Sequence, residues 1–169
     1  MSVLRELPTR KPNRLKNFDY GQSGAYFITI CVKDRAEIFG YVGADSIRPH
    51  YQHTQLTDVG IVVKNGIENI GKTYEGVVVD RYVIMPNHIH MIIMINRDNG
   101  RMISAPTTTK SLSQIVGYFK QFVSRKIGFS PWQKSFHDHI IRNDDDYRKI
   151  VEYIDDNPNT WAEDCFYPK

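Results

Sequence analysis

The chain has 169 residues, 41% of them hydrophobic and 24% charged, with a net charge of +3. That length fits one domain with a core of its own, and no apolar run is long enough to span a bilayer, so no membrane role is expected. Residues 1–16 lack the apolar stretch of a secretory signal. Cys31 and Cys165 are far apart in sequence and form neither a disulfide framework nor a Cys-x-x-Cys site, which fits a reducing cytoplasm.

Residues 1–19 carry Pro8 and Pro12 and no periodicity, and Arg5, Arg10, Lys11, Arg14 and Lys16 crowd the first sixteen against a lone Glu6. This reads as a basic arm ahead of a single domain over 20–169, and clustered cations of this kind attract phosphate backbones. Ala25–Lys33 is β-branched and aromatic and predicts a strand. Gly40–His53 is turn-rich and predicts a loop with short extended pieces. Over Leu56–Ile70, the apolar residues Leu56, Val59, Val62, Val63, Ile67 and Ile70 fall at helical spacing, with Thr57 or Thr54 as cap and Gly71 as a C′ stop.

Two apolar runs, Val77–Met85 and His88–Ile95, flank Pro86-Asn87 and predict a hairpin. Residues 96–109 are polar and predict a loop. Leu112–Ile127 is amphipathic, with Ser111 as N-cap, Gly128 as stop, and Lys110, Lys120, Arg125 and Lys126 as added cations. Ser135–Arg142 alternates like a short strand. Asn143–Asp146 starts a helix with acidic residues at its positive end; Tyr147–Asn157 continues it and Pro158 ends it. Strand, helix, strand, strand, helix, strand and a final helix make the α+β, ferredoxin-like (split βαβ) pattern. The expected product is an antiparallel sheet with two helices on one face, plus a C-terminal helix.

His88 and His90 stand two apart on a strand and project from the same face, while Ile89 points the other way. A lone histidine on an apolar strand is more often structural; a pair on one face is half of a metal site. Tyr153 and Asn157, four residues apart, share one face of the last helix. Each read alone is an ordinary core residue or a C-terminal cap. Read together, His88, His90 and the side-chain oxygen of Asn157 hold a metal, its open positions take a phosphate oxygen, and Tyr153 attacks that phosphate.

In these residues the chain resembles the HUH single-tyrosine transposases, and most of all their REP-associated tyrosine transposases. The matching stretches are Val83-Ile84-Met85-Pro86-Asn87-His88-Ile89-His90, Trp132-Gln133 through His139-Ile140-Ile141-Arg142-Asn143, Asp146-Tyr147-Arg148 through Val151-Glu152-Tyr153-Ile154, and Asn157-Pro158. Arg14-Leu15-Lys16 through Gly24-Ala25-Tyr26-Phe27-Ile28-Thr29 also fits.

The resemblance implies Mg2+ or Mn2+ on His88, His90 and Asn157, with Tyr153 as nucleophile. It implies cleavage and rejoining of single-stranded DNA next to a hairpin through a 5′-phosphotyrosine intermediate. The implied partner is single-stranded DNA with an imperfect palindrome, in a nucleoid-associated cytoplasmic setting. Arg10, Lys11, Arg14, Lys16, Lys120 and Arg142 are the expected phosphate contacts, and Tyr20, Tyr26 and Phe27 are candidates for base stacking, though Tyr26 and Phe27 fit a strand core better. A homodimer stays open, because in some relatives the tyrosine helix serves the partner subunit's site. His137 and His139 form a second His-x-His pair, read as structural or DNA-contacting. Two other readings remain: a non-catalytic single-strand or hairpin-binding protein on the same scaffold, and a zinc hydrolase using His88, His90 and His137 or His139.

Overall fold

The computed structural model describes residues 19–20, 22–44, 52–97 and 110–168. The basic arm, with Arg10, Lys11, Arg14 and Lys16, lies outside the described residues. In chain order the elements are β1 (Gly24–Cys31), β2 (Gly40–Ala44), β3 (Gln52–Leu56), α1 (Asp58–Thr73), β4 (Val77–Ile84), β5 (His88–Ile95), α2 (Leu112–Ile127), β6 (His137–Ile141) and α3 (Asp144–Asp156), with 3-10 turns at Lys33–Arg35 and Trp161–Glu163.

Four strands form one antiparallel sheet in the order β4-β5-β1-β6, and β2 pairs with β3 in a separate ribbon. Setting the ribbon aside, the two strands contributed first and last by the split βαβ unit, β1 and β6, lie side by side, which is the ferredoxin-like arrangement. The period of two along a strand divides the sheet into faces. Tyr26, Ile28 and Ile30 of β1 and Ile89, Met91, Ile93 and Ile95 of β5 are buried in the main apolar cluster. Val63, Ile67 and Ile70 of α1 and Ile115, Val116, Phe119 and Val123 of α2 complete that cluster. The alternate residues of the same strands, Phe27, Thr29 and Cys31 with His88 and His90, lie on the other face, where α3 docks.

The caps follow the sequence closely. Thr57 accepts from the Gly60 amide at the start of α1. Ser111 and Gln114 form a reciprocal capping box on α2. Gly128 closes α2 at φ 86°, a conformation glycine adopts without strain. Two expectations shift. Gly71 does not stop α1; the helix runs on to Thr73, and the Tyr74 amide still bonds to Ile70 O at 3.1 Å. The roughly 1 kcal/mol cost of an interior glycine is offset because Ile70 and Tyr74 pack against the core on either side of it. The region expected as a loop contains the β2–β3 ribbon, whose tip (45–51) lies outside the described residues. α3 begins at Asp144, as the acidic run after Asn143 predicts, and Asn143 caps it by accepting from the Asp146 amide at 2.9 Å.

Candidate metal and nucleophile site

Strand register builds the first half of the site. His90 sits opposite Thr29, and His88 opposite Cys31, on neighbouring antiparallel strands. The two imidazoles meet edge to face with ring centres 4.5 Å apart, both buried. Each is held from behind through Nδ1. Thr29 Oγ1 lies 2.8 Å from His90 Nδ1, and Asn87 Oδ1 lies 2.9 Å from His88 Nδ1. The Asn87 amide nitrogen donates to Phe166 O at 2.9 Å and to Arg35 O at 3.3 Å, so its oxygen is the acceptor. His88 therefore carries its proton on Nδ1 and presents the Nε2 lone pair. That is the tautomer a metal-binding histidine needs, with its other nitrogen tied to a supporting group.

α3 supplies the second half. Ile154 is buried beneath it, the Tyr147 hydroxyl donates to Asp80 Oδ2 at 2.7 Å, and Arg81 faces Asp155 at 3.8 Å. These contacts fix the helix over β4. The 3.6-residue turn then brings Tyr153 and Asn157 to the histidines together. The Tyr153 hydroxyl lies 3.2 Å from His90 Nε2. Phe27 stacks on His90 at 5.3 Å and meets Tyr153 edge-on at 6.1 Å, so it is half-buried on this face of the sheet rather than in the strand core expected for it. Tyr26 is fully buried in that core. Tyr153 remains 42% exposed and so is open to a large substrate. The histidine it meets belongs to its own chain.

The residue sequence reasoning missed is Asp164. After α3 the chain turns back through Trp161–Glu163 and lays Asp164 beside the imidazoles. Its Oδ2 is 4.0 Å from His88 Nε2 and accepts from Asn157 Nδ2 at 3.1 Å. Its Oδ1 accepts from the Phe166 amide at 2.7 Å. His88, His90 and Asp164 place one ligand atom each within 4.8 Å of one another. Trp161 and Phe166 then roof His88, with ring centres at 5.8 and 4.6 Å. The only sequence signal was a carboxylate seven residues beyond Asn157, in a turn that no periodicity marks.

The donor set fits a divalent cation. His88 Nε2 and Asn157 Oδ1 are buried and have no hydrogen-bond partner. Since the Asn157 nitrogen is used on Asp164, its orphaned oxygen is an acceptor. Buried polar atoms without partners are costly, and two lone pairs left so beside a carboxylate amount to a place prepared for a cation. Burial pushes both His88 and His90 down to about 3, so both imidazoles are neutral ligands at pH 7. Two nitrogens with amide and carboxylate oxygens, and no thiolate in the set, suit a hard or borderline ion. Tyr153 is pushed up to about 12, first by burial and then by the Asp164 charge.

The remaining sequence candidates fall elsewhere. Lys120 directs its ammonium at Gln133 O (2.9 Å) and Ser135 O (2.8 Å), pinning the segment that leads into β6; burial lowers it to about 8. Arg142 is exposed at the end of β6, beside the start of α3. His139 pairs with Asp146 at 2.8 Å, and His137 lies opposite Thr29, one strand away from His90.

Fold and site together define a ferredoxin-like α+β protein with paired strand histidines and a tyrosine helix laid across them. A scan against family models gave no match. The chain is 36% identical to an uncharacterised protein of Haemophilus influenzae, covering 94% of this chain and 93% of that one. It is 27% identical to a candidate REP-associated tyrosine transposase of the same organism, covering 83% of this chain and 73% of that one. The solved structure of a REP-associated tyrosine transposase bound to a REP hairpin superposes with a TM-score of 0.61 at 20% identity, covering 88% of this chain and 73% of that one, which shows a shared fold. The chain is thus similar to REP-associated tyrosine transposases in sequence and in fold.

Proposed function

We propose that this protein cleaves and rejoins single-stranded DNA beside a hairpin, with Tyr153 as nucleophile and a divalent cation, Mg2+ or Mn2+, held by His88, His90 and Asn157, with Asp164 as a further oxygen donor. One observation carries the reading: the Tyr153 hydroxyl lies 3.2 Å from His90 Nε2, one helical turn before an asparagine whose oxygen is buried without a partner. The hairpin bound to the solved structural neighbour supports a hairpin substrate.

The Tyr153 oxygen forms a bond to phosphorus while the bond from phosphorus to the 3′ oxygen breaks. The phenolic proton is lost to solvent, and the 3′ oxygen leaves as a hydroxyl. The 5′ end stays on the enzyme as a phosphotyrosine, which a 3′ hydroxyl can later attack to rejoin strands. A bound cation withdraws charge from the phosphate and stabilises the negative charge of the transition state. With the phenol near 12, the ionised fraction at pH 7 is only ~1 in 100,000, so attack depends on that stabilisation and on positioning. His90 Nε2 serves either the hydroxyl or the cation. With a cation on His90 Nε2, the Tyr153 hydroxyl would lose that partner and could face a phosphate instead. Phe27 braces the phenol from the side, and Thr29 and Asn87 keep the imidazoles oriented.

Labelled single-stranded DNA from the flanks of the gene, incubated with protein and Mg2+ or Mn2+, tests this. A protein–DNA adduct that survives denaturation and vanishes in Tyr153→Phe is the expected result. A shift without an adduct would mark a binding module. Cleavage that persists in Tyr153→Phe would mark a hydrolase built on the same histidines.

A further inference from the structure

On the far side of the sheet from Tyr153, α1 and α2 leave a groove of about 470 Å³ between them. Helical spacing explains its lining: Gly66, Ile70 and Thr73 share one face of α1, and Tyr118, Phe122 and Arg125 share one face of α2. Gly66 permits the close approach, since a Cβ there would come within 3.0 Å of the Phe119 ring. Aromatic surface forms much of the groove, from Tyr74, Tyr118, Phe119 and Phe122, and Tyr118 is 45% exposed. Three cations line it as well, Lys110, Arg125 and Lys126, and among the described residues no carboxylate does. The two kinds of side chain interleave: Lys110 Nζ stands 5.6 Å from the Tyr118 ring centre, and Lys126 Nζ 6.0 Å from that of Phe122.

We infer that this groove binds a segment of single-stranded nucleic acid away from the site of chemistry. Exposed aromatic faces next to cations, with no acid to repel phosphate, match the design in which bases stack while the backbone follows positive charge. An apolar partner protein would leave three cations unpaired at the rim, and a duplex would keep its bases stacked inside and unavailable to Tyr118. The inference rests on the reading that the protein handles single-stranded DNA, but it requires nothing of Tyr153.

The test uses an oligothymidylate of about 15 nucleotides, long enough for several stacked bases, carrying 5-iodouracil for photocrosslinking. All binding is measured in the Tyr153→Phe background, by fluorescence anisotropy over a salt series. Tyr118→Ala should weaken binding by about fivefold to a hundredfold. Arg125→Gln with Lys126→Gln should lower the slope of log affinity against log salt by about 1.4, or ~0.7 for each lost phosphate contact. Both sites are exposed, and unchanged circular dichroism melting controls for folding. Crosslinks should map to Tyr118 or Phe122. Unchanged slope and affinity in these variants, crosslinks confined to Phe27 and its neighbours, or a Glu-rich peptide binding the groove in place of the oligonucleotide would each overturn the inference. An unmutated protein that forms no adduct while these variants lose binding would sink the proposed chemistry alone; adduct formation with unaffected binding in the variants would sink the groove alone.

Discussion

On β5, Ile89, Met91 and Ile93 turn into the layer under α1 and α2, and His88 and His90 turn toward α3. The apolar face needs only volume and close packing to do its work. The histidine face needs particular atoms: a Thr29 hydroxyl on one Nδ1, an Asn87 oxygen on the other, a phenol and a carboxamide arriving from a helix that must dock at one angle. Because strand residues alternate, one stretch of eight serves both faces. Stability and chemistry should then respond to different substitutions only one residue apart.

The sharpest way to break that separation is a paired experiment. Tyr153→Phe should reduce adduct formation by about a thousandfold or more, since it removes the attacking atom. It should leave stability within ~1 kcal/mol, the worth of one partly exposed hydrogen bond. Ile89→Ala should do the reverse, costing about 2–5 kcal/mol by denaturant melting through the cavity it opens. Loss of fold in Tyr153→Phe, or loss of adduct without loss of stability in Ile89→Ala, would mean the faces are not separable.

Acid tests the histidine face without mutation. In the unfolded chain each imidazole takes a proton near 6.5; in the folded chain burial holds both down to about 3. Between those values the unfolded chain binds more protons. The stability these groups leave intact above pH 6.5 should therefore be lost as pH falls, by up to about 1.4 kcal/mol per pH unit for each histidine. Urea melts with a chelator present, from about pH 7 down to about pH 5, read this before most carboxylates titrate. His90→Gln should make that decline shallower. A flat stability over the range would mean the imidazoles gain protons in the folded chain as readily as in the unfolded one.

A subtler probe of the same face is Thr29→Ala. Thr29 would not touch the cation; it only orients His90. Loss of such a supporting group should weaken Mn2+ binding about 10- to 100-fold by titration calorimetry, with the melting profile nearly unchanged. Unaltered Mn2+ affinity would indicate that strand packing alone sets the imidazole's orientation.

What the sequence made legible follows from how local each signal is. Period-two alternation gave His88 and His90 a common face, and a turn of helix gave Tyr153 and Asn157 another; both are short-range geometry. The capping of α1 and α2 by Thr57 and Ser111 is equally local. Asp164 was not legible, because its place depends on the chain folding back after Pro158 so that Asn157 and the Phe166 amide can hold it. Gly71 misled for a related reason: its local preference to end a helix lost to the burial of Ile70 and Tyr74 on either side. Lys120 looked like a surface cation in a basic helix, and only the course of the segment before β6 shows where its ammonium goes.

Lys120 and Arg142 carry the comparison into its smallest effects. Lys120 Nζ is engaged by two carbonyls, so its removal should act on the fold: Lys120→Met should cost about 1–3 kcal/mol by leaving those carbonyls without their charged donor, with DNA affinity per folded molecule hardly changed. Arg142 stands exposed on the rim beside α3, so Arg142→Gln should leave the melting transition alone. If it meets a phosphate, the slope of log affinity against log salt should fall by ~0.7, one contact's worth on a single strand. Should Lys120→Met change that slope and Arg142→Gln leave it untouched, DNA would have to displace the Lys120 ammonium from Gln133 and Ser135, and the segment entering β6 would move on binding.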